Sequence, residues 1–245
     1  MIQSTAGDIV PLFPPPPPVP PEILARLNEP REKSAYEVMA ENPSTSSELL
    51  TALADARDDY VREAVATNPS TPPEVLHEMI LDDEIFVTLA VAQNPATPVD
   101  ALAVLAIEGD RHQRESAASN PSMLGEVLAF LAQDDESEVR EAVATNPSTP
   151  PDVLAQLAAD EDEDVCVMAA VNPSTPPDVL VKLAGDNDGY VRYVVARNPS
   201  MPESVLRALT QDPDRTVRYV AAANLAHIAI TPANLVRMAI PQQNK

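Results

Sequence analysis

The residues of this chain best placed to act on another molecule fall in two neighbouring columns, visible once the sequence is laid out on its own period. One column reads Arg62, Thr88, Arg114, Arg140, Cys166, Arg192 and Arg218; the next reads Glu63, Leu89, Glu115, Glu141, Val167, Tyr193 and Tyr219, each step being 26 residues. Arginine beside glutamate is an exposed pairing that needs no function. In the last three steps the acids give way to Val167, Tyr193 and Tyr219, flanked by Arg192, Arg197 and Arg218. Tyrosine and arginine are enriched where proteins touch proteins. These six residues are the candidate partner-binding set, and the chemistry they offer is recognition.

Catalysis has little to build on. His77, His112 and His227 stand at unrelated points of the period, away from any repeated nucleophile or metal-ligand spacing. The acidic run Asp160 to Asp164 lacks the ligand spacing of a calcium loop and reads as a solvated turn. Glycine is scarce and no phosphate-cradling loop is present. We assign no catalytic, cofactor-binding or metal residues, and expect no cofactor and no enzyme.

The columns must be carried by repeated elements, and one residue marks the repeat. Asn42, Asn68, Asn94, Asn120, Asn146, Asn172, Asn198 and Asn224 are each 26 residues apart, and proline follows all but Asn224, where Leu225 stands. Such a period denotes stacked supersecondary units. Within a unit, Thr149 is placed to cap a first helix, helix A, that opens with Pro150, Pro151 and Asp152. Thr71 to Glu74 matches capping-box spacing. Helix A buries Val153, Leu154, Leu157 and Ala158 on one face, and Leu24, Leu50, Leu76, Leu102, Leu128, Leu154, Leu180 and Leu206 repeat as a column. An acidic turn leads to a short helix B with a second stripe, such as Val139, Ala142 and Val143. Asn-Pro ends it, because the residue before proline is pushed out of the α region. Each asparagine is therefore expected to bond backbone of its own or the neighbouring unit, as a buried ladder.

Three stretches depart from the pattern. Residues 1–21, with Pro14 to Pro18, read as an extended polyproline arm, either a spacer or a ligand for proline-recognising modules. Around Gln113, which replaces a core valine, Ser116 and Ala117 thin the stripe and Met123-Leu124-Gly125 replaces Thr-Pro-Pro, which predicts the softest layer. After Asn224, extra residues precede a helix restart at Thr231 to Leu235, a modified terminal cap, and residues 241–245 form a tail. The solenoid is expected over residues 22–240, all-α, with about eight to nine two-helix units and no β-sheet.

Asn-Pro-Ser-Thr-Pro-Pro-Asp-Val-Leu, followed by Leu-Ala, an aspartate and Val-Arg-Glu-Ala-Val-Ala, resembles the variant leucine-rich repeat over about residues 19–240. The resemblance implies a right-handed superhelix of α-helices alternating with second helices that can be 3₁₀. It implies no common activity. The cysteine-bound cluster of some members has no counterpart in a chain with one cysteine.

Composition narrows the class further. The chain has 245 residues, three Phe, five Tyr and no Trp, and a net charge of −22. Residues 1–119 carry 20 acids and 7 bases (−13), residues 120–171 carry 12 and 1 (−11), and residues 172–245 carry 6 and 8 (+2). Such acidity opposes direct nucleic-acid binding, which needs clustered Lys and Arg. No apolar run is long enough to span a bilayer, and the N-terminus lacks a secretory signal's plan. A lone cysteine excludes an intramolecular disulfide and fits the cytoplasm. The expectation is a non-enzymatic scaffold for a protein or peptide partner, bound mainly by the C-terminal units. The alternative is an acidic nucleic-acid mimic that occupies a basic protein.

Overall fold

The computed structural model describes residues 32–229, with side chains to 227. The proline arm, Leu24, the restart at Thr231 and the tail lie outside the described residues. The chain divides at Ser34 and Ala35, and the described helices belong to the second unit. They are α1 (Ala35–Glu41), α2 (Ser47–Ala54), α3 (Asp59–Thr67), α4 (Pro73–Met79), α5 (Ile85–Gln93), α6 (Val99–Glu108), α7 (Arg111–Ser119), α8 (Gly125–Leu131), α9 (Ser137–Thr145), α10 (Pro151–Leu157), α11 (Glu163–Val171), α12 (Pro177–Leu183), α13 (Gly189–Arg197), α14 (Glu203–Leu209) and α15 (Arg215–Ala229). Even-numbered helices are helix A of a unit and odd-numbered ones helix B. No strand occurs among the described residues.

From α3 onward the B helices start at residues 59, 85, 111, 137, 163, 189 and 215, in step with the sequence period. Their acidic turns supply caps: Asp58 accepts from the Tyr60 amide at 3.1 Å and Asp188 from the Tyr190 amide at 2.8 Å. Each B helix packs on the next B helix and on its neighbouring A helix. Leu50, Leu76, Leu102, Leu128, Leu154, Leu180 and Leu206 are all fully buried between the layers. Burying one such side chain contributes about 1.5–3 kcal/mol before cavity effects. The B stripes Val61, Ala64 and Val65, and Val139, Ala142 and Val143, close the same core from the other side.

The asparagines form the expected ladder. Asn146 Nδ2 donates to Ala118 O at 2.6 Å and to Asn120 O at 2.8 Å, both in the preceding unit, and its Oδ1 accepts from the Ser148 amide at 2.8 Å. The same three bonds recur at Asn68, Asn94, Asn120, Asn172 and Asn198. Asn68 through Asn198 are 2–3% exposed. Asn224 makes the two donor bonds as well, but without a following proline α15 runs on past it to Ala229. The rung needs only the asparagine; the proline is what stops the helix.

The threonines behave otherwise than expected. Helix α10 is capped by Pro150 with no side-chain cap bond, and Thr149 Oγ1 instead donates to Val143 O at 2.5 Å, at the end of the preceding helix. Thr71 does the same to Val65 O, so its capping box is not formed. A proline pair has already removed orphan amides from the start of helix A, whereas the broken end of helix B still has orphan carbonyls to satisfy.

A second row fastens the units. Arg140 Nε donates to Asp160 Oδ2 and its Nη2 to Asp160 Oδ1, both at 2.9 Å, while Nη1 holds Asp134 O at 2.8 Å. Arg62 with Asp82, Arg114 with Asp134 and Arg192 with Asp212 repeat this two-pronged pair, each to an aspartate 20 residues on. Cys166 interrupts the row. Its Sγ donates to Asp160 O at 3.1 Å, as the arginines do to their own turns, but it has nothing to offer Asp186, which is exposed.

The layer at Gln113 is bridged by a hydrogen bond across the seam. Gln113 forms a capping box with Asp110 and donates from Nε2 to the buried Thr88 hydroxyl at 2.9 Å, a polar pair replacing an apolar one. The buried apolar residues form one cluster through this layer as far as Val165 and Ala169 and a second that includes Val167 and Ala170, with Met168 and Leu183 packed against both.

Three outcomes follow from these contacts. Asn146→Ala strands two carbonyls and an amide, at about 1–3 kcal/mol for each buried group, and a urea midpoint equal to wild type would refute the ladder's role. Cys166→Arg completes the row with Asp186 and should raise the thermal midpoint by about 2–4 °C, the shift that about 1 kcal/mol gives in a chain of this size. The third concerns pH. The hydrogen bonds from Arg114 and Arg192 hold Asp134 and Asp212 below the ordinary carboxylate range against the opposing effect of burial. Burial is the largest influence on Asp82 and Asp160 and pushes them up, but arginine and backbone amides together bring them down as well. With folded values below the unfolded value of about 3.9, the pairs' contribution is complete above that pH and is lost as pH falls through the folded values. Thermal melts below about pH 4 should therefore fall steeply, and less steeply for Asp134→Asn.

Candidate functional site: a groove between the B helices

The stack presents the outer sides of its B helices as a repeated surface, and between α11 and α13 that surface sinks into a groove of about 250 Å³. Val167, Met168 and Val171 line it from α11; Tyr190, Tyr193, Val194, Arg197 and Asn198 line it from α13 and its end. Helical spacing builds each wall, since residues three and four apart share a face. Tyr190 and Tyr193 stack with ring centroids 6.2 Å apart and planes at 22°. The Arg197 guanidinium lies 5.7 Å from the Tyr193 ring centre, with Nη1 3.4 Å from the Tyr193 hydroxyl. Arg197 is exposed and has no carboxylate within ion-pair distance among the described residues.

The six sequence-predicted residues separate into two groups. Val167, Tyr193 and Arg197 meet in the groove, Val167 as its buried floor. Tyr219 is 74% exposed on α15, in register with Tyr193 but outside the lining. Arg192 and Arg218 face the turns: Arg192 is paired with Asp212, and Arg218 donates to the carbonyls of Asp212 at 2.7 Å and Pro213 at 2.9 Å. The Arg192 guanidinium is thus taken up by the next unit's turn, and Arg218 Nη1 by the turn that precedes its own helix. Tyr190, Met168, Val171 and Val194 were not singled out from the sequence. Tyr190 had a signal, lying three residues before Tyr193 on the same helical face.

Between α9 and the start of α11, the carboxylates of Glu141, Asp162 and Asp164 come within 4.8 Å of one another. Asp162 is held as the cap of α11 by the amides of Asp164 and Val165. Burial first, and then the charges of Asp164, Asp162, Glu138 and Glu115, push the Glu141 carboxyl above its ordinary value. The Cys166 thiol is also pushed up, by burial and then by Asp160, so at neutral pH it is protonated and a poor nucleophile. His77 lies near Asp100 and His112 near Glu115 on exposed surface, neither pair beside a nucleophile.

Comparison with known proteins agrees with this architecture. Two stretches, residues 61–84 and 138–162, match the family model described as leucine rich repeat variant. Among solved structures the chain is similar to a leucine-rich repeat variant with a novel repetitive structural motif, at 27% identity over 79% of each chain and a TM-score of 0.54. It also aligns with an engineered protein at 22% identity over 88% of this chain and 80% of that one, TM-score 0.43, and with an archaeal HEAT-like repeat protein from Thermococcus onnurineus NA1 at 13% identity over 82% and 98%, TM-score 0.33. No curated protein matches the chain. The matched stretches bracket part of one continuous ladder of asparagine rungs, so the chain is a helical solenoid in which two stretches match the leucine rich repeat variant family.

Proposed function

We propose that the solenoid is a non-enzymatic scaffold that holds a protein or peptide partner on its B-helix face, with the C-terminal units as the main contact. The groove between α11 and α13 carries this reading. It is apolar on both walls, floored by buried Val167, rimmed by two stacked tyrosines, and has an arginine without an acidic partner at its edge. Large aromatic rings and desolvated arginines are what dominate contact energies between proteins. Tyr219 extends the surface by one unit, while Arg192 and Arg218 stiffen the frame on which the tyrosines stand.

The resemblance adds a right-handed sense to the stack. A reduced Cys166 suits the cytoplasm, and no described helix is long and apolar enough to cross a membrane. Of the acidic face that a nucleic-acid mimic would use, Asp82, Asp134 and Asp160 are already held by arginines, which favours the groove over the mimic.

A pull-down with identification by mass spectrometry separates the two readings. The scaffold reading expects partners of the wild-type chain to be lost with Tyr193→Ala plus Tyr219→Ala while helicity by circular dichroism is unchanged; full retention refutes it. Partners rich in Lys and Arg, released by moderate salt and displaced by DNA, would point to mimicry instead.

A further inference from the structure

The groove is not electrically neutral along its length. At the start of α11, one helical turn before the groove residue Val167, Asp164 clusters with Asp162 and with Glu141 of α9, and at the far end of α13 the groove meets the exposed Arg197. Asp164 lies three residues before Val167 on the same helical face, so the acidic group and the apolar floor are consecutive stations for anything laid in the groove. The acids crowd one another: burial first, and then four neighbouring carboxylates, push the half-buried Glu141 carboxyl above its ordinary value. Among the described residues Arg197 has the ring and hydroxyl of Tyr193 to engage it and no carboxylate. A guest with cation, apolar side chain and anion in that order would relieve both ends while filling the middle. The layer that must accommodate it has Cys166 in place of the row's arginine, as an earlier layer has Thr88. The two walls there keep the asparagine rung, Asn198 Nδ2 donating to Ala170 O and Asn172 O, but have no arginine pair beside it.

Resting on the groove as the contact site, we propose that its occupant is a linear segment of a partner protein with a bulky apolar residue, a basic residue toward the Asp164 end, and an acidic residue toward Arg197. Charge complementarity of this kind sets orientation and partner choice more than raw affinity. The chain's own excess of acid makes the basic end the one that steers approach.

The test is selection of short random peptides displayed on phage against the full chain, followed by titration of a synthetic consensus peptide. The expected consensus has Leu, Phe, Met or Ile with Lys or Arg on one side and Asp or Glu on the other. Affinity should fall about five- to tenfold for each of Asp164→Lys and Arg197→Glu, both exposed positions. A peptide with its two charges exchanged should recover affinity for the chain carrying both reversals. Selection of uniformly acidic, uncharged or proline-rich peptides, selection of none, or indifference to both reversals would overturn the proposal. Tyr193→Ser distinguishes the levels: binding that needs Tyr193 but ignores the charges leaves the groove standing and removes the polarity, whereas binding indifferent to Tyr193 removes the groove reading too.

Discussion

Two carbonyls at each helix B exit, and the asparagine amide that reaches them from the next unit, are the contact on which the rest of the structure depends. Asn-Pro breaks the helix while its last carbonyls are still inside the protein, where an unpaired polar group is costly. The following unit brings one side chain with two donors and an acceptor to that spot, and closes its own turn with the acceptor. A unit is therefore complete only when another follows it. This makes the stack additive and one-dimensional, and sets the distance at which the leucine layers meet.

The arginine pairs act on the same seams from the other side of helix B. They differ from the ladder in being dispensable to the chain's path: Thr88 with Gln113 substitutes a neutral hydrogen bond, and Cys166 leaves the pair out. At α11, where Cys166 leaves the pair out, the surface opens into the groove with Tyr190 and Tyr193 on one wall. Specialisation of the C-terminal units thus coincides with relaxation of the fastening.

Much of the fold was legible because its determinants are local and repeat. The asparagine column, the leucine columns and the proline starts each declare a face or an end within a few residues, and the ladder followed from asking where broken-helix carbonyls go. The threonines were misread for the same reason: a hydroxyl beside prolines has two orphan sites in reach, and only the packed turn shows that the carbonyl behind it wins. Gln113 looked like a defect in its own column, and its partner Thr88 is 25 residues away.

By itself the sequence determined the period, the helical class, the buried stripes and the place where the surface turns from acidic to apolar, since each is a pattern of side-chain type along one helix face. Tertiary structure alone decided which of the candidate residues share a site. Arg192 and Tyr193 are adjacent in the chain, yet one points along the stack to Asp212 and the other outward beside Tyr190. Successive residues on a helix diverge by about 100°, so membership of a site is settled by what stands opposite each direction, and that is a property of the neighbouring unit.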